Sequence, residues 1–268
     1  MKFLEADLAG AAGVQGLMTL RRDGHSAGPG FAETGGGAGF NVGSATGDDA
    51  QAVMRNRQCL HDHVGAPLVW VRQVHGTRVL TVVRTIERAG ADTLSVNDAG
   101  PLDGPQADAL VTDEAGIGLV IQTADCLPVL LAAVDGRVIG AAHAGWRGLA
   151  AGVLENTLAA MRARQRAPAT IVAWLGVGIG AASFEVGPEV RAAFLADDPD
   201  AGVCFSASPR RPGHWYADLA GLARRRLSRA GVAQVRGAPD CTVANERDFY
   251  SYRRDRRCGR MATVIWRD

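Results

Sequence analysis

The hydrophobic positions of this chain fall into short runs bounded by Gly, Pro or clusters of polar residues. PLVWVRQVHG (67–76) and RVLTVV (78–83) carry the β-branched and aromatic residues of strands. ADALVTD (107–113), GIGLVIQTAD (116–125), PVLLAAV (128–134) and VIGAAHA (138–144) are four more runs, apolar or alternating, expected to share one sheet system. TIVAWLGVGIG (170–180) predicts a strand running into a Gly-rich turn, and MATVIW (261–266) a last strand. Elsewhere the helical period takes over. Ala52, Val53, Asn56 and Leu60 recur at helical spacing within 48–63, with Asp48 placed to cap. Leu149, Val153, Leu154, Leu158 and Met161 mark one face of a helix over 147–166. EVGPEVRAAFLA (185–196) begins as turn and continues as helix, with Pro188 near its first turn. DLAGLARRRLSRAG (218–231) turns Leu219, Leu222, Ala223 and Leu227 inward and stops at Gly231. Residues 23–39 and 88–105 read as loops. Strands and helices mix without strict alternation, which predicts an α+β fold. No repeat or linker interrupts the pattern, so residues 1–268 are expected to form a single domain.

Composition narrows the function classes. The 47% hydrophobic and 21% charged content is that of an ordinary globular protein. A net charge of +1 gives no bulk attraction for nucleic acid or an anionic membrane, so neither is expected as a partner. Lys2 is the only lysine among 29 basic residues, so abundant Arg reflects compositional bias and is weak evidence of phosphate binding. MKFLEADLAG carries acids where a signal peptide needs an apolar stretch. The most apolar long window, 116–134, is interrupted by Gln122, Asp125 and Pro128, so no membrane span is expected. Cys59, Cys126, Cys204, Cys241 and Cys258 are odd in number and lack paired spacing. They are expected to be reduced thiols in a cytoplasmic protein.

Polar residues at strand ends hold the candidate chemistry. In IQTADCLPVLL, Asp125 and Cys126 interrupt an apolar run, and a carboxylate there is costly unless something pairs with it. His75 ends the run before Gly76, and His143 lies in GAAHAGWRG. Two imidazoles and a thiolate converging from separate strands suit Zn²⁺ with one position left open. The same residues allow a nucleophile, Cys126, with His143 as base and Asp125 or Gln122 orienting it; that pairing does not need His75. A satisfied core histidine and a buried thiol are the inert alternative. His61 and His63 fall at a probable helix end, His25 in a loop, and His214 beside Trp215. YSYRRDRRCGR (250–260) packs five Arg beside two Tyr, suited to phosphate, to a base, or to a solvated turn.

Taken in order, RQVHG (72–76), ADALVTD (107–113), TADCLPVLL (123–131), GAAHAGWRG (140–148), LGVGIGAASFEVGPEV (175–190) and DFYSYRRD (248–255) resemble a known family. It is the multicopper polyphenol oxidoreductase laccase family, also described as the peptidoglycan editing factor or purine nucleoside phosphorylase family. The resemblance runs from about residue 14 to the C-terminus. It implies mixed β-sheets with a sandwich-like core flanked by helices. It implies His75, Cys126 and His143 as metal ligands, usually for zinc, with copper the less favoured ion. It implies phosphorolysis of adenosine, inosine, guanosine and methylthioadenosine, and deamination of adenosine. Alternatives are editing of peptidoglycan precursors by an amidase using Cys126 and His143 or the metal, copper-dependent phenol oxidation, and non-catalytic metal binding. Six histidines are too few for a multicopper oxidase. Deamination needs a proton relay, for which Asp125 and Asp108 are placed by position. Phosphorolysis needs cations for phosphate, and Arg21, Arg147, Arg253 and Arg254 are embedded in the motifs. Gln73 of RQVHG and Asn41 of FNVG join them as expected substrate-binding residues. Trp146 or Phe249 can stack on a base, and Gly145 and Gly148 permit close approach near His143. TLRRDGHS (19–26) keeps Arg21 but has Asp23 where the family has Gly, and Ala181-Ala182-Ser183 stands where it has Pro-Cys-Cys. Purine nucleoside and phosphate are therefore the expected small-molecule partners of a monomer or small homo-oligomer.

Overall fold

A computed structural model describes residues 1–84, 93–95, 104–237 and 240–268. Two sheets lie face to face. The larger has seven strands, in the spatial order Gln234–Gly237, Ile171–Leu175, Leu127–Ala133, Ile139–Ala144, Ala109–Thr112, Val79–Val83 and Thr93–Ser95. The smaller has five, in the order Phe3–Glu5, Val14–Thr19, Met261–Arg267, Gly118–Thr123 and Leu68–Val69. Both mix parallel and antiparallel pairs.

Period-two alternation explains the layering. In Leu127–Ala133, Val129 and Leu131 point to one side while Leu130 and Ala132 point to the other. Leu130 and Ala132 meet Leu119, Ile121, Met261 and Ile265 of the smaller sheet, which makes the space between the sheets one core. Val129 and Leu131 pack under the helices Val153–Arg164, Pro188–Leu195 and Leu219–Arg229 through Leu158, Phe194 and Leu222. On the far side, Val120, Val264 and Leu17 of the smaller sheet are covered by Leu60 and Val64 of the helix Ala50–Val64. Each large apolar side chain buried this way contributes roughly 1.5–3 kcal/mol. The α+β class and the helix-flanked sandwich are those the sequence predicts.

Several elements differ from expectation for local reasons. The strand predicted over 67–76 pairs in regular ladder only at Leu68–Val69; beyond it the chain peels away towards His75, whose φ is +61°. The helix predicted over 147–166 breaks at Gly152 (φ +98°) into Trp146–Ala151 and Val153–Arg164. Asp49, not Asp48, caps Ala50–Val64 by accepting from the Ala52 N–H at 2.7 Å. Asp48 instead accepts from Asn41 Nδ2 at 2.8 Å. Within the loop expected over 88–105, Thr93–Ser95 is a strand, and 88–92 and 96–103 lie outside the described residues. The 23–39 loop closes on itself through Ser26 and Gly39, and Phe31 O accepts a hydrogen bond from the Tyr250 hydroxyl. Val14–Thr19 and the small sheet Glu185–Val186, Trp215–Ala217, Phe205–Ala207 were not expected. Among the described residues, no helix is long and apolar enough to cross a membrane.

Candidate functional site

Strand register brings two of the candidate ligands together. The turn after Gly118–Thr123 leaves the smaller sheet, and Cys126 directly precedes Leu127–Ala133 in the larger one. There Leu127 pairs with Ala144 and Pro128 with His143, so the Cys126 thiol and the His143 ring are neighbours. His75 arrives from the irregular segment after Leu68–Val69. Its ring stands edge-on to that of His143, with centroids 4.8 Å apart, and its Nε2 lies 3.6 Å from Cys126 Sγ. The donor atoms of the three side chains lie within 4.8 Å of one another, the one such grouping of His, Cys and acids among the described residues. His143 is 3% exposed, whereas His75 and Cys126 open onto a cleft. Gly145 permits this closeness, since a Cβ there would lie 2.7 Å from His75 Cδ2 and 3.0 Å from Cys126 Sγ. Gly148 does the same beneath, where a Cβ would reach Gly76 O at 2.6 Å.

Asp108 holds the two histidines. Its fully buried carboxylate accepts from His143 Nδ1 at 2.9 Å, His75 N at 2.9 Å, Gly76 N at 2.7 Å and Val74 N at 3.2 Å. The bond to Nδ1 leaves Nε2 of His143 as the ring atom available for a metal, the arrangement carboxylates commonly impose on histidine ligands. Burial alone raises the Asp108 carboxyl, but His143 and the backbone donors outweigh it and hold the group below its usual range. Burial likewise pushes the Cys126 thiol up, yet the adjacent His143 and His75 bring it down to about 6. His143 moves the opposite way. Burial lowers it, and the Cys126 thiolate and Asp108 raise it to about 9. A thiolate and two imidazoles, one anchored by a carboxylate, form a donor set that fits a borderline-soft divalent ion.

The cleft beside these donors has a volume of about 670 Å³. Of the expected residues it gathers Gln73, His75, Asp125, Cys126, His143, Trp146, Arg147 and Arg253 along its wall. Arg21, Asn41, Arg254 and Phe249 do not line it. The Arg21 guanidinium donates to Ala32 O and Glu246 O and lies over the Tyr250 ring. Arg254 ties Thr242 O, Val243 O and Phe249 O together. Phe249 is packed between the two sheets. Asn41 is fully buried and shapes the cleft indirectly. Its side chain bonds Gly43 N, Thr46 Oγ1, Asp48 and Arg260 N, and so forms the 43–46 loop that walls one side. Gln73 is engaged at both ends of its amide, donating to Gln122 O at 2.7 Å and accepting from Gln122 N at 2.8 Å. It pins the His75 segment to the strand that leads to Cys126. Arg147 stacks on Trp146, its guanidinium 4.4 Å from the ring centre.

Arg72, Arg260, Phe184 and Tyr252 line the cleft without having been singled out. Arg72 and Arg260 were within reach of sequence reasoning, because RQVHG and the Arg-rich 250–260 stretch contain them. Among the described residues, four arginines and one acid, Asp125, therefore line the cleft.

Comparison with known proteins adds identity by descent. The model of the family described as multi-copper polyphenol oxidoreductase laccase matches residues 15–268. A Xylella fastidiosa (strain Temecula1) protein named purine nucleoside phosphorylase is 47% identical over 273 residues, covering 98% of this chain and 96% of that one. An Escherichia coli K12 protein of the same name is 40% identical over 229 residues, covering 85% and 86%. A crystal structure of a Neisseria meningitidis protein superposes with a TM-score of 0.84 at 40% identity, covering 100% of both chains. That of YlmD from Geobacillus stearothermophilus gives 0.81 at 30% identity, covering 96% and 93%.

Proposed function

The chain belongs to the multi-copper polyphenol oxidoreductase laccase family, and from that membership we propose that it is a zinc-dependent purine nucleoside phosphorylase. The observation that carries the proposal is a three-donor N/N/S group at the wall of a cleft rich in guanidinium. The relatives' name supplies the substrate class, a purine nucleoside with phosphate; adenosine, inosine, guanosine and methylthioadenosine are the proposed members of that class.

In phosphorolysis a phosphate oxygen bonds to ribose C1′ as the C1′–N9 bond breaks, and the purine leaves with the bonding electrons and gains a proton. The chain's part is to bind and orient. Cationic side chains at the cleft, Arg147 and Arg253 with Arg72 and Arg260, hold the phosphate and offset the charge that builds in the transition state. Trp146, half-buried at the cleft wall, is the side chain that would stack on the base. His75, Cys126 and His143 hold the zinc, which supplies Lewis acidity at the cleft wall when bound. Asp108 keeps His143 in the tautomer that leaves Nε2 free for it. The same centre is proposed to deaminate adenosine, where water adds at C6 and ammonia leaves. Zinc is favoured over copper because one three-donor group is found among the described residues, and His61 and His63 stand apart from it in the helix Ala50–Val64. A cytoplasmic location accords with five free thiols.

The test is purified protein with its metal identified by mass spectrometry, incubated with inosine and with adenosine, with and without phosphate, beside Cys126→Ala. Hypoxanthine or adenine released only with phosphate, and lost with the zinc in the variant, supports phosphorolysis. Inosine formed from adenosine without phosphate supports deamination. Zinc-loaded protein that turns over no nucleoside overturns the proposal.

A further inference from the structure

Asp125 sits between two functional parts of the cleft and is engaged by both. Its own backbone is in the left-handed region, φ +89°, in the turn that presents Cys126. Only a few non-glycine residues take that conformation, and surrounding contacts must hold them in it. Those contacts come from three segments distant in sequence. Asp125 O accepts from Ile179 N at 2.8 Å, in the turn after Ile171–Leu175. Asp125 Oδ1 accepts from the Thr242 hydroxyl at 2.6 Å. Asp125 Oδ2 accepts from the Arg253 backbone N–H at 2.6 Å. Thr242 is fully buried and is itself tied to the first segment through its N–H to Gly178 O at 3.1 Å. Gly178 must lie this close, since a Cβ on it would stand 3.1 Å from Asp125 O.

The bond to Arg253 matters for the substrate. Arg253 N–H is fixed by Asp125, while its side chain reaches over the cleft, donates to Glu185 O at 3.1 Å and lies 5.5 Å from the centre of the Phe184 ring. One carboxylate thus sets both the turn that carries a metal ligand and the chain that carries a substrate-side guanidinium. Both of its oxygens are turned to these donors.

We propose that Asp125 is a positioning residue: it bolts the Cys126 turn to Thr242 and Arg253, so that metal and substrate groups keep a fixed separation, and it does not relay protons. This rests on the phosphorylase proposal for the identity of the substrate, though not for the latch itself.

Asn discriminates the two roles. Its oxygen can accept from Arg253 N, its NH₂ can donate to Thr242 Oγ1, and it tolerates positive φ well, yet it cannot take up a proton at neutral pH. Asp125→Ala loses both bonds, and Asp125→Gly loses both while relieving the backbone. A positioning role predicts that Asp125→Asn keeps kcat/KM within about fivefold of wild type with an unchanged pH profile. Asp125→Ala and Asp125→Gly should both fall by at least about thirtyfold, with KM for phosphate and nucleoside rising. Hydrogen exchange read over residues 249–256 supplies a measurement independent of turnover. Exchange there should quicken in the Ala and Gly variants and stay at wild-type rates in Asn. An Asp125→Asn enzyme as impaired as Asp125→Ala, but with wild-type exchange and full metal content, overturns the positioning role in favour of proton transfer. Wild-type exchange in Asp125→Gly overturns the latch. If the wild type turns over no purine nucleoside, the phosphorylase proposal fails, and the exchange data still decide the latch.

Discussion

Replacing Asp108 by Asn isolates what one buried carboxylate does for the candidate metal site. The change is nearly isosteric, so any effect comes from hydrogen bonding and charge. Oδ1 serves His143 Nδ1 and His75 N, both at 2.9 Å, and Oδ2 serves Gly76 N at 2.7 Å, with Val74 N shared between them at 3.2 Å. Asn offers one oxygen. Its best orientation keeps the histidine bonds and turns an NH₂ against the Gly76 N–H. One bond to a charged acceptor is lost, worth roughly 1.5–3 kcal/mol, and the retained ones weaken to neutral bonds. The expected loss is about 3–4 kcal/mol of folding stability. Metal affinity should fall about 10- to 100-fold, as when other partners of ligating histidines are removed. The sign with pH follows from the lowered Asp108 carboxyl. Its stabilisation is present above the unfolded value near 3.8 and disappears as pH falls through the lower folded value. The variant should lack that acid-side component. Urea unfolding of metal-free protein and competition against a chromogenic chelator measure both effects. A stability loss under about 1 kcal/mol with metal affinity within about threefold would refute the assignment of Asp108 as the anchor.

The remaining predictions address neighbouring features. In metal-free protein, Cys126 alkylation by iodoacetamide should reach half its plateau rate near pH 6, because the thiolate forms there; a midpoint above about pH 8, nearer an ordinary thiol, contradicts the imidazole–thiol contact. Gly145→Ala should keep the fold by circular dichroism yet weaken metal binding at least about tenfold, since its Cβ would displace His75 and Cys126. Leu130→Ala, fully buried between the two sheets, should cost about 2–5 kcal/mol in urea unfolding. A value near zero would show that the sheets do not share that core.

Much of the site was legible because its candidate donors break an apolar pattern. Cys126 and His143 stand in runs that are otherwise hydrophobic, and a polar residue is kept there only when something uses it. The partners of Asp108 were not legible. Three of them are backbone N–H groups more than thirty residues away, and a backbone donor leaves no mark in a sequence. Arg21, Asn41 and Arg254 show the converse. Their motifs are plain, but the side chains bond carbonyls, amides and a neighbouring carboxylate to shape loops around the cleft. The α+β class followed from the apolar strand runs mixed with helical periods, and the helix-flanked sandwich from the family resemblance. Strands of two or three residues, such as Glu185–Val186 and Phe205–Ala207, are too short for a period to show.

The place of Met261–Arg267 has a consequence for how the protein is made. It lies between Val14–Thr19 and Gly118–Thr123, so the strand leading to Cys126 gains this neighbour only after more than a hundred further residues have been synthesised. Until then the smaller sheet is open on that side, next to the turn that carries Cys126. The sheet beside Cys126 is therefore completed only once residues 261–267 are in place. A nascent chain stalled before residue 261 should be the form most easily lost to oxidation or to the wrong ion.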